Sequence, residues 1–117
     1  MDITMSTFSH PITLTGPAGA SETLDVVVDT SILFAVIPTP VLRRLGVEPR
    51  EIRRPGDEQV AQVEAELNGE RGWAMCVLGP EDEPARIGRH TLDSFLLEID
   101  SQKQKLVPKT LRLVQHF

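Results

Sequence analysis

Tyrosine is absent from this 117-residue chain, aromatic residues make up only 4% of it, and it has a single cysteine. One thiol excludes an internal disulfide framework and fits a reducing compartment. It equally excludes a cysteine-based zinc cluster, which needs several thiolates. Long apolar runs are missing too: the longest, Ile32 to Ile37, is far too short to cross a bilayer as a helix. The first ten residues, Met1 to His10, carry neither a basic stretch nor an apolar core, so they do not read as a secretory signal, and the expected location is cytoplasmic. Positive charge is in deficit, with 12 Lys+Arg against 17 Asp+Glu and a net charge of −5. That balance argues against nucleic-acid partners, which call for a basic face. No glycine-rich loop follows a strand in phosphate-binding spacing, so nucleotide binding has no support either.

What remains is ordinary globular material, 40% hydrophobic and 25% charged. The length is that of one domain, 1–117, with a core expected from about residue 12 to 107. Nine prolines and eight glycines cut the chain into short segments, which suits a mostly β fold. Ile12 to Thr15 and Glu22 to Val28 read as a hairpin around Gly16-Pro17-Ala18-Gly19. Leu33 to Ile37 reads as a strand buried on both faces. A short helix follows, with Thr39 as N-cap, Pro40 in the first turn and Gly46 closing the end. Glu48 to Asp57 reads as exposed connection. Val60 to Leu67 and Arg71 to Leu78 alternate around Asn68-Gly69, a type I′ hairpin signal, with Trp73, Met75 and Val77 sharing a face. Thr91 to Phe95 suggests a second short helix, capped by Thr91 or His90. Leu96 to Ile99 and Lys105 to Val107 suggest a last hairpin.

One stretch carries chemistry: Val26-Val27-Val28-Asp29-Thr30-Ser31 sets a carboxylate at the end of an apolar strand, followed by two hydroxyls and another apolar strand. Buried acids need hydrogen bonds or a partner, and the plainest role for this one is to cap its own turn. The order around it is more specific. An apolar strand ends in Ile37-Pro38, the helix ends in Leu45-Gly46-Val47, a hairpin follows, then Ile87-Gly88-Arg89, a short helix and Leu106-Val107-Pro108. This order resembles the single-domain, retroviral-type (retropepsin-like) aspartic peptidases of bacteria, over about Ile12 to Val107. The resemblance implies an all-β fold, a closed or partly closed β-barrel with two short helices. It implies that Asp29, Thr30 and Ser31 form the catalytic loop, with Ile87 and Gly88 supporting it from behind. One loop is half a site, so the resemblance also implies a homodimer acting on a peptide or protein substrate. Two paired carboxylates would share a proton, the ionised one activating water and the protonated one donating to the scissile carbonyl.

The chain departs from that family at several points. Ser31 stands where glycine is usual, Ile32 and Leu33 where small or polar residues are usual, and Arg86 where an apolar residue precedes Ile87. Between Gly46 and Gly88 the substrate-covering flap hairpin looks cut short or absent. Two readings therefore stand together: a homodimeric aspartic endopeptidase, and a non-catalytic dimeric β-barrel serving binding or assembly.

Other chemistry-bearing residues have plainer roles. His10, His90 and His116 lack metal-ligand spacing, so neither a metal nor a cofactor is expected. Cys76 reads as a buried structural thiol and Trp73 as a core or interface anchor. Arg43, Arg44, Arg50, Arg53 and Arg54 outnumber Glu48 and Glu51 and read as a solvated basic face, while Glu81-Asp82-Glu83 forms an acidic loop.

Overall fold

The computed structural model of the chain describes residues 8–51 and 59–109. In chain order the elements are β1 (Phe8–Thr15), β2 (Ser21–Val28), β3 (Ala35–Pro38), α1 (Thr39–Arg44), β4 (Arg50–Glu51), β5 (Gln59–Leu67), β6 (Glu70–Gly79), β7 (Arg86–Ile87), α2 (Arg89–Ser94), β8 (Leu97–Asp100) and β9 (Lys105–Pro108). The fold is mostly β with two short helices. Seven strands form one sheet in the order β1-β2-β7-β3-β6-β5-β4, and β1 bonds back to β5 over Ile12–Thr15. β8 and β9 pair separately.

The sheet is curled and partly closed, not a closed barrel. Its thinnest part is β7, which offers two residues to β2 and a single pair, Val36 with Arg86, to β3.

Alternation explains the core. Ile12 and Leu14, Val26 and Val28, and Ala61, Val63, Ala65 and Leu67 point inward from their strands and are buried. Val41, Leu42 and Leu45 of α1 and its end, with Leu92 and Phe95 of the α2 region, cover this interior. Each fully buried Leu or Ile contributes about 1.5–3 kcal/mol relative to exposure, so these side chains dominate the stability. The β5–β6 turn has Asn68 at φ 55° and Gly69 at φ 81°, as a type I′ turn demands.

Several expectations shift. β3 starts at Ala35, not Leu33, because the Ile32 and Leu33 carbonyls accept from the amides of Arg89 and His90 and so leave the ladder. Thr39 is the first helical residue and not the cap: its hydroxyl donates to the Gly79 carbonyl at 3.0 Å. α2 opens at Arg89 with Gly88 in the cap position, earlier than Thr91 or His90. Leu96 adopts φ 56° and stays half-exposed, so the last hairpin begins at Leu97. Arg50–Glu51 is not mere connection; it pairs antiparallel with Gln59–Val60. The rest of that stretch, 52–58, lies outside the described residues, as does His116.

The largest correction concerns β6. Its core face is Ala74 and Cys76, with Gly72 packed under Phe95, so Trp73, Met75 and Val77 take the outer face. Trp73 is 61% exposed and is no core anchor. Cys76 is fully buried, and desolvation pushes its thiol up to about 12. A thiol-reactive dye at pH 8 should therefore find no reactive group in the native protein and one equivalent in denaturant. Rapid labelling of the folded chain would contradict this packing.

Candidate functional site

Asp29 follows β2 directly, where the chain leaves the sheet and returns as β3. β7 lies between those two strands, parallel to β2 and antiparallel to β3, so the loop from Asp29 to Phe34 spans β7. Backbone bonds pin the loop along its length. Val27 donates to the Ala85 carbonyl at 2.9 Å and Asp29 to the Ile87 carbonyl at 3.0 Å. On the far side, Arg89 donates to Ile32 at 3.0 Å and His90 to Leu33 at 2.8 Å. The loop thus caps the start of α2 while hanging from β7.

Gly88 is where the two layers touch. A Cβ there would lie 2.5 Å from the Ile32 carbonyl oxygen and 2.7 Å from that of Leu33, both of them backbone atoms without freedom to retreat. Ile87, fully buried, supplies the carbonyl that holds Asp29. Both residues sit behind the Asp29 loop and contact it through the backbone.

The Asp29 side chain is 16% exposed. Its Oδ1 accepts from the Ser31 amide at 2.9 Å and from the Ser31 hydroxyl at 2.5 Å. Arg86 brings Nη1 to 3.8 Å from Oδ2, and its Nη2 lies 3.7 Å from Glu83. The carboxyl is consequently held below the usual aspartate range, first by the Ser31 hydroxyl, then by the Ser31 amide, with Arg86 adding a smaller pull; desolvation opposes them and loses. The Arg86 contact is long and partly solvated, which places it among ion pairs worth about 0–1 kcal/mol. Arg86 Nε is buried without a hydrogen-bond partner among the described residues.

Ser31 is thus the principal donor to the Asp29 carboxylate. The pairing of Asp29 with Arg86 is legible only from topology, because the parallel register sets Arg86 beside Val27. In the sequence Arg86 is merely a cation shortly before Gly88. Thr30 is exposed, and its hydroxyl has no hydrogen bond among the described residues. Leu33 is 49% exposed on the same loop. Phe34, half-buried, meets the exposed His90 ring edge-on, at 5.2 Å between ring centroids.

Within one chain this arrangement gives an ionised carboxylate on a rigid loop, with an exposed hydroxyl and an exposed leucine beside it. Such a group is a weak base near neutral pH and lacks an acid partner. Among the described residues, no three His, Cys, Asp or Glu side chains cluster in metal-binding fashion, and no helix is long and apolar enough to cross a membrane. No family model and no curated protein matches the chain.

The direction of the Asp29 shift fixes a pH dependence. A folded-state value below the unfolded one, about 3.9, stabilises the fold at pH above the unfolded value, and that stability fades as pH falls through the depressed value. Ser31→Ala removes the largest contributor. It should lower stability near pH 7, and in urea titrations the gap to wild type should shrink progressively as pH falls below the ordinary aspartate value. An equal gap at every pH would show that Ser31 acts by packing and not through the Asp29 charge.

Proposed function

We propose that this chain is one half of a homodimeric aspartic-peptidase-like protein with a retropepsin-like fold, in which Asp29 of each protomer faces the other across a two-fold axis. The observation that supports it most is the Asp29 loop, suspended from β7 on one side and capping α2 on the other while its carboxylate and Thr30 reach the surface. A catalytic loop needs this stiffness, since misplacement by about 1 Å costs rate steeply.

In such a pair, one Asp29 is ionised and takes a proton from a water between them. The water oxygen attacks the peptide carbonyl carbon while the protonated Asp29 donates to the carbonyl oxygen. Collapse of the tetrahedral adduct breaks the C–N bond: the departing nitrogen takes the proton that the first Asp29 gained from water, and a hydroxyl of the adduct returns its proton to the second Asp29 as the carboxyl product forms. Thr30 serves as a hydroxyl bonding across the axis, and Ser31 as the donor that fixes one carboxylate oxygen. The substrate is a peptide or protein, bound without cofactor. A cytoplasmic location accompanies this reading, given the lone thiol.

A second reading keeps the dimer and discards turnover. The favouring observation is the donor set on Asp29: Ser31 and Arg86 hold it ionised, which opposes the sharing of a proton.

Digestion of a peptide library at several pH values, with wild type beside Asp29→Asn, separates the two. Cleavage by wild type alone supports the peptidase. Absence of cleavage in both, with a dimer retained in light scattering, leaves the binding module; a strictly monomeric mass at tens of micromolar contradicts both.

Pairing also links protonation to assembly. Two apposed carboxylates raise one apparent value, so the dimer holds a proton that separate chains release. Wild-type association should therefore be strongest at mildly acidic pH and weaken as pH rises through that value. Asp29→Asn should associate more tightly than wild type near pH 7.5 and show little pH response. Sedimentation velocity at about pH 5 and 7.5 measures this, and identical pH responses in both forms would remove Asp29 from the interface.

A further inference from the structure

A concavity lies well away from Asp29. Asp29 follows Val28, which pairs with Phe8, whereas this hollow borders the Thr15–Ser21 end of the same hairpin, about 20 Å along the strands. Its volume is about 470 Å³. Pro17 forms one side, Glu48 borders it just before β4, and Val60, Met75 and Trp73 from the outer face of the β5–β6 hairpin form another. Glu64 stands directly across the strands from Trp73 and completes the rim.

Two features define what fits. The surface is apolar where β5 and β6 contribute Val60 and Met75, and it ends in the exposed face of the chain's only tryptophan. The charge beside that tryptophan is negative: Glu48 and Glu64 line the hollow, and none of the ion pairs formed among the described residues involves either. Arg71 is the basic side chain of the adjoining hollow, which it lines together with Glu64 and with Glu66, its cross-strand partner. An indole face flanked by carboxylates suits a guanidinium or ammonium on an aliphatic stem. We propose that this groove is a docking site for a basic, apolar peptide segment, with an arginine seated between Trp73 and Glu64 and its apolar neighbours against Val60, Met75 and Pro17. It recruits a partner protein through that segment, separately from whatever occurs at Asp29.

Trp73 reports on its own groove. The probe is a blocked pentapeptide of alternating leucine and arginine, compared with the same peptide carrying glutamine in place of arginine, in a titration of Trp73 emission. The arginine peptide should give a saturable change, and the glutamine peptide should bind at least tenfold more weakly. Glu48→Gln with Glu64→Gln should weaken the arginine peptide at least fivefold. Glu81→Gln with Asp82→Asn, an equal change of charge in the exposed β6–β7 loop, should alter it less than twofold. Far-UV circular dichroism confirms that both variants fold. Equal affinity for the two peptides, or equal loss in the two variants, would overturn the proposal, since attraction would then be non-specific or due to net charge. So would an emission change that follows protein concentration without peptide, which would mean that a second copy of the chain fills the groove.

Discussion

The amide of Asp29 donates to the carbonyl of Ile87, and much of the molecule is arranged around that bond. It forms because β7 is squeezed between β2 and β3, with one neighbour parallel and the other antiparallel. A two-residue strand in that position has little sheet of its own to stabilise it. It is secured by continuing immediately through Gly88 into α2, whose first amides are satisfied by the loop that Asp29 begins. Loop, strand and helix are thus mutually dependent, and the absence of a side chain at Gly88 lets the layers meet. Burial of Ile87 and Leu92 anchors the assembly to the core.

On this frame the electrostatics of Asp29 pull in two directions. Hydrogen bonds from Ser31 and the nearby Arg86 favour the charged carboxylate, while hydrolysis by paired aspartates requires one of two to be protonated. The conflict is resolved by whichever contact is stronger. A charge-assisted bond from Ser31 is a local and persistent effect of about 1.5–3 kcal/mol. Repulsion between two carboxylates about 3 Å apart is larger in a partly desolvated site, and it is what pushes aspartic dyads to share a proton. Pairing can therefore overcome Ser31, provided that Arg86 turns away from Oδ2. At 3.8 Å and one-third exposed, Arg86 is weakly held.

Much of the scaffold was legible because its signals are local. Asn68-Gly69 demands positive φ, Gly46 closes α1 at φ 74°, and alternation along Val63, Ala65 and Leu67 assigns the buried face of β5. What escaped depends on contacts distant in sequence. Trp73 and Ala74 are both plausible core residues by pattern, and only the packing of Phe95 over Gly72 decides that the smaller residues of β6 face inward. β7 escaped because a strand of two residues, Arg86–Ile87, leaves no alternation to read. The candidate acid is visible as a carboxylate after three valines, but Arg86 is far from it in the chain and meets it through the parallel register of β7 beside β2. Ser31 was noticed as a departure, yet the direction of its effect rests on a hydroxyl rotamer that no sequence pattern encodes.

The most direct measurement is a titration of the Asp29 carboxyl carbon by NMR, with the protein labelled at aspartate and assigned through Asp29→Asn, at a dilute and at a concentrated protein level. A paired site predicts one depressed value in dilute solution. On concentration it predicts two apparent values, one of them clearly above an ordinary aspartate's ~3.9. A single depressed value at both concentrations would show that Asp29 stays with Ser31 and Arg86 alone, and would contradict a shared-proton dyad.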